Sequence, residues 1–159
     1  MRRVIAAVLL TAALAACSSG SEAKGPSASV TVTTLSAIER EVEAAYLKSW
    51  DVYADAALSL TTAGLEQSYA EPQLQRTRSD IEDRIQTKRT ARFRVDHDYS
   101  IDIVGDDLAR VHDRYRNHSV LVDPVTHEPT EPDPNTVITD VFTLRRIEGT
   151  WKVTNIQSA

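Results

Sequence analysis

A histidine and an aspartate on the dry faces of neighbouring strands can act as a base and its orienting carboxylate, and His97 and Asp113 are spaced for that arrangement. In the stretch "ARFRVDHDYSIDI", Ala91, Phe93, Val95, His97, Tyr99, Ile101 and Ile103 alternate with Arg92, Arg94, Asp96, Asp98, Ser100 and Asp102. A period of two marks a half-buried strand, so His97 belongs to its apolar side. The turn "VGDDL" leads into "LARVHDRYRNHSVLVD", read as one returning strand whose inward residues are Ala109, Val111, Asp113 and Tyr115. A three-residue loop, Gly105 to Asp107, pairing Val104 with Leu108, keeps both apolar faces together, whereas a one-residue slip would set a dry face against a wet one. This register sets Tyr99 opposite Asp113 and His97 opposite Tyr115. With a tyrosine hydroxyl as donor to a developing oxyanion, the group could abstract a proton beside a carbonyl. Alternatively, it is a polar network satisfied within the fold, as every buried carboxylate requires.

Other chemistries find no support. His112 and His118 share the outer strand face but lie six residues apart, about 20 Å at ~3.3 Å per residue, too far for one metal ion. His127, Glu128, Glu131 and Asp133 sit in a proline-rich loop suited to solvation. No glycine-rich phosphate loop, nucleophile elbow or paired-cysteine site occurs, so no cofactor, metal or catalytic residue is assigned.

The elements that must position these residues are helices followed by strands. Ser36 and Glu39 in "SAIE" have capping-box spacing, and Ile38, Val42, Ala45, Tyr46, Trp50, Tyr53, Ala57 and Leu60 recur at helical steps after them. Thr61 to Gly64 breaks this helix, "LEQSYA" adds a short helical turn, and Pro72 opens a second helix to about Lys88 with Leu74, Ile81 and Ile85 as its buried stripe. Arg76, Arg78, Asp80, Glu82 and Arg84 read as its solvated face. Four prolines make Asp123 to Asn135 a long exposed loop. "TVITDVFTLRR", the turn "EGT" and "WKVTNI" form a closing hairpin. Helices first and meandering antiparallel strands after them predict an α+β domain over residues 35–159, with N-terminal helices packed on one face of a curved sheet.

The N-terminal end speaks about location. Arg2 and Arg3 precede an apolar run, Val4 to Leu14, and "LAAC" ending at Cys17, the pattern of an export signal. The run is shorter than the ~18 residues of a spanning helix. "LAAC" is similar to the lipobox of bacterial lipoproteins, in which the cysteine carries lipid, and Cys17 is the single cysteine of the chain. The expected organisation is a signal peptide over 1–16, a small, polar, flexible tether over 17–34 beginning at lipidated Cys17, and the folded domain. The expected location is the extracytoplasmic face of the cell membrane. The whole chain has 18 basic and 23 acidic residues; removal of Arg2 and Arg3 with the signal leaves a charge of −7. That balance speaks against nucleic acid as a partner.

The helix "AAYLKSWDVYADAAL", the strand "ARVHDRY" and above all "DVFTLRRIEGTWKVTNI" resemble the NTF2-like superfamily, which includes the SnoaL-like and ketosteroid isomerase enzymes and many actinobacterial lipoproteins. The resemblance covers about Leu35 to Gln157. It implies a conical cavity between the first helix and the curved sheet, with Tyr46, Tyr53, His97, Tyr99, Asp113 and Tyr115 as candidate lining residues. Its motifs are those of a fold, and the isomerase's carboxylate base and Tyr-Asp oxyanion pair do not map onto this chain. The favoured expectation is a non-enzymatic cell-envelope lipoprotein that binds a small apolar ligand or an envelope protein partner. The alternatives are a SnoaL-like isomerase or hydratase using His97 and Asp113, and an accessory subunit of an envelope complex contacting its partner through the loop Asp123 to Asn135. The resemblance also makes the arginine-rich outer sheet face a candidate homodimer surface.

Overall fold

The chain enters its first helix, α1 (Ala37–Ser59), through the expected capping box: Ser36 Oγ accepts from Glu39 N–H at 3.2 Å and Glu39 Oε2 accepts from Ser36 N–H at 2.6 Å. The computed structural model describes residues 35–159, so the signal, Cys17 and the tether lie outside the described residues. Helix α1 ends at Leu60 in the left-handed region, a 3-10 turn spans Leu65–Gln67, and α2 (Gln73–Thr87) follows. Among the described residues no helix is long and apolar enough to cross a membrane.

Seven strands follow: β1 (Ala91–Arg92), β2 (Val95–Asp96), β3 (Tyr99–Gly105), β4 (Leu108–Asn117), β5 (Val120–Leu121), β6 (Thr136–Ile147) and β7 (Thr150–Ser158). Strands β2 and β3 lie end to end along one edge of β4, which pairs with β6, and β6 with β7, all antiparallel. Both helices contact this sheet, and the buried core is built from Val42, Tyr46, Ile81, Val111, Leu144 and Val153 among others. This is the α+β cone anticipated above: helices first, packed on a curved antiparallel sheet.

The expected register holds, with Tyr99 opposite Asp113, Ile101 opposite Val111 and Ile103 opposite Ala109. The turn achieves it differently. Gly105 pairs with Leu108 across a two-residue turn, and Val104 is the extra residue of a bulge, which restores the face that a plain two-residue loop would have inverted. A second bulge, at Thr154 between the pairs Thr143–Asn155 and Leu144–Val153, interrupts β7 against β6. Bulges bend strands and increase twist, and together these two curve the sheet. The β6–β7 hairpin closes through Glu148 and Gly149 with φ of 50° and 79°, the paired left-handed conformation of a tight hairpin turn.

Two long strands of the sequence reading are shorter in the structure. Ala91 to Ile103 breaks into β1, β2 and β3: between β1 and β2 the Arg94 amide donates to Ser119 Oγ at 3.2 Å, and between β2 and β3 the Asp98 amide donates to Asp113 Oδ1 at 3.1 Å. The strand from Leu108 ends at Asn117; beyond it β5 leaves the main sheet and pairs with β1. The stripe of α2 also differs. Ile81 is buried, but Ile85 is exposed, and Gln73 and Thr77 occupy the buried positions one and two turns before Ile81.

Candidate functional site

Asp113 is fully buried, and three donors answer it. Its Oδ2 accepts from the Tyr46 hydroxyl at 2.5 Å and from His97 Nδ1 at 2.6 Å, while Oδ1 takes the Asp98 amide. Tyr46 Oη lies 3.2 Å from the same histidine nitrogen. Burial pushes the Asp113 carboxyl up, but the hydrogen bonds from His97 and Tyr46 outweigh it and leave the group below the usual aspartate range. The Tyr46 hydroxyl is held strongly in its protonated form, by burial first and by its bond to Asp113 second. Tyr99 donates to Glu43 Oε1 at 2.5 Å, and burial together with that carboxylate raises its pKa to about 12.

The cavity of the cone lies elsewhere. A space of about 340 Å³ opens between the two helices and the sheet, within the range of small-molecule sites. From the helical side its wall comprises Trp50 and Tyr53 of α1 and Gln73, Arg76, Thr77 and Asp80 of α2, with Tyr69 between them. From the sheet side come Phe93, Val95, Tyr115, Ile138, Asp140 and Phe142, with Asn117 and Ile156. Exposed Arg76 belongs to the wall, so the cavity meets solvent on that side.

Of the six residues proposed to line a cavity, Tyr53 and Tyr115 are in this wall, whereas Tyr46, His97, Tyr99 and Asp113 are not. Trp50 and Phe142 separate the two regions. The Trp50 ring packs edge-on at 5.3 Å from His97 and 5.1 Å from Tyr115, and Phe142 meets Tyr46 at 5.0 Å. His97 instead borders a second recess, of about 200 Å³, with Asp96, Asp98, Arg114, Arg116 and Val137. Thus His97 and Asp113, the pair first considered for proton abstraction, do not line this cavity.

Several wall residues escaped the sequence reading. Asp140 is only 7% exposed; its Oδ2 accepts from the Tyr115 hydroxyl at 2.8 Å, and its Oδ1 has no hydrogen-bond partner. Burial and the bond to Asp140 hold the Tyr115 hydroxyl protonated. Gln73, 8% exposed, donates through Nε2 to Thr77 Oγ1 at 3.3 Å and leaves Oε1 unpartnered. A buried polar atom without a partner costs about 1–3 kcal/mol. Asp140 and Gln73, which carry two such atoms, both belong to the cavity wall. The supposed solvated face of α2 is engaged as well: Asp80 accepts from the Tyr53 hydroxyl and from Arg84 Nε at 3.1 Å, and Arg76 donates to Asn155 Oδ1 at 2.9 Å.

A signal for Asp140 was present. In "TVITDVFTL" the alternation that carries Ile138 and Phe142 inward carries Asp140 with them. Among the described residues no cluster of three or more metal-ligating side chains forms.

The class defined by this geometry is an α+β cone enclosing one amphipathic cavity, and solved structures share the fold. The chain is similar to the intermembrane space region of the chloroplast protein ARC6, at 14% identity over 79% of this chain and 98% of that one, with a TM-score of 0.59. It is also similar to a domain of unknown function with a cystatin-like fold from Nostoc punctiforme, at 14% identity over 74% of this chain and 76% of that one, TM-score 0.53. A third likeness is to the Kfla4162 protein from Kribbella flavida, at 13% identity over 76% and 91% of the two chains, TM-score 0.53. No family model and no curated protein matches the sequence. At these identities the likeness concerns architecture, and function must be argued from the site.

Proposed function

We propose that this protein is a lipid-tethered binding module of a bacterial cell envelope, whose cavity takes one small amphipathic molecule without transforming it. The observation that carries the reading is the cavity itself, aromatic on most sides and with the polar side chains of Gln73, Thr77, Asp80 and Asp140 in its wall. A pocket that is mostly apolar with a few unfilled hydrogen-bonding groups favours a ligand that is apolar in body and polar at one point. The His97–Asp113–Tyr46 cluster stands outside the cavity with its carboxylate saturated by the protein's own donors, which supports a packing role. Lipid on Cys17 would keep the domain at the outer membrane surface, a reading supported by "LAAC" after a short apolar run.

Fluorescence titration with N-phenyl-1-naphthylamine, a neutral apolar probe, tests the pocket. Saturable binding by the wild type and its loss in Thr77→Trp, which fills the cavity from α2, is the expected result. Equal binding by the filled variant would refute it. For the anchor, Cys17→Ala should move the protein from the membrane fraction to the soluble fraction; unchanged retention would end that part of the proposal.

A further inference from the structure

The wall of the cavity holds a buried carboxylate, Asp140, with no cationic partner among the described residues. Asp113 and Asp140 face each other across β4 and β6, both buried, yet only one is fully answered. Like charges set directly opposite on adjacent strands repel. Asp113 has an imidazole, a phenol and an amide around it; Asp140 has the Tyr115 hydroxyl on one oxygen and nothing on the other. No lysine or arginine among the described residues forms a salt bridge with Asp140, and the one basic residue of the wall, Arg76, is exposed and bonded to Asn155. Arg84 of α2, which lies over the Phe93 ring, is paired with Asp80.

Around this carboxylate the wall is aromatic: Trp50, Tyr53, Tyr69, Phe93, Tyr115 and Phe142 all contribute. Aromatic faces attract organic cations through the ring quadrupole, most strongly where water is excluded. The acceptor side chains of the wall, Asp140 and Gln73, suit a donor with several N–H groups, which an ammonium supplies and a carboxylate does not.

We infer that the cavity is selective for organic ammonium compounds, a primary or secondary amine on an aromatic or short alkyl body, with the ammonium paired with the Asp140 carboxylate. This rests on the binding reading above and narrows it to one ligand class. A neutral alcohol of the same shape offers one donor and no charge, and a carboxylate meets Asp140 and Asp80 as a like charge.

Calorimetric titration of the purified full chain with 2-phenylethylammonium, 2-phenylethanol and 3-phenylpropionate separates the two readings. The expected order is ammonium tightest, by about tenfold over the alcohol, with the carboxylate weakest. In Asp140→Asn the ammonium should lose its advantage while the alcohol binds as before. Alcohol and ammonium binding equally in the wild type would overturn the inference and leave the cavity reading standing. If none of the three binds, both fall. Because the wild-type order alone is decisive, a poorly folded Asp140→Asn cannot protect the inference.

Discussion

Asp113 and Asp140 are register partners on adjacent strands, both buried, and they have opposite surroundings. Around Asp113 the protein has closed every option: Tyr46 from the first helix, His97 from the edge and the Asp98 backbone all donate to it. Around Asp140 a single tyrosine donates, and the residue borders open space. The difference teaches that burial of a carboxylate is not in itself a sign of function. What distinguishes a structural group from a candidate recognition group is whether the chain's own donors exhaust it.

That contrast can be broken by substitution. Asp113→Ala strips the acceptor from three buried donors at once, and its expected cost is about 3–5 kcal/mol by chemical denaturation. A cost below ~1 kcal/mol would mean that the network is dispensable. Tyr115→Phe removes the one partner of Asp140 and should cost about 1–3 kcal/mol, the desolvation of an unanswered acceptor. Asp140→Asn should be the mildest, within about 1 kcal/mol of wild type, since the amide oxygen still accepts from Tyr115 and the opposed charge is gone. If Asp140→Asn proved as damaging as Asp113→Ala, the two carboxylates would be equally structural and the comparison would fail.

Acidity sharpens the same contrast. The folded-state pKa of Asp113 is depressed, so its contribution to stability is present above the ordinary aspartate value of about 3.9 and is lost as pH falls through the lower folded value. Denaturation midpoints measured from pH 6 down to pH 2.5 should therefore drop in the wild type, and drop less steeply in Asp113→Asn. Parallel curves would assign the acid sensitivity to other carboxylates.

Much of this was legible in the residue order. The capping box at Ser36, the period of α1, the alternation of β4 and the turn at Glu148–Gly149 are local patterns, each with its own physical cause within a few residues. The inward position of Asp113 and its partner Tyr99 followed from alternation plus the demand that dry faces meet. The break at His97–Asp98 was not legible, because it depends on the carboxylate of a residue fifteen positions away capturing an amide. Nor did periodicity explain Gln73 and Thr77 on the buried side of α2, since only the cavity beneath them makes polar residues acceptable there.

By itself the sequence determined the kinds of elements, their order, the faces they bury and the register of the first hairpin, since these depend on side-chain period and on local caps and turns. Only the tertiary structure decided which inward polar residues are spent on one another and which face a void. That outcome turns on Trp50 and Phe142, brought together from α1 and β6 into a partition between the two carboxylates' surroundings. Such a partition arises from packing between elements distant in sequence, and no local pattern encodes the space it leaves.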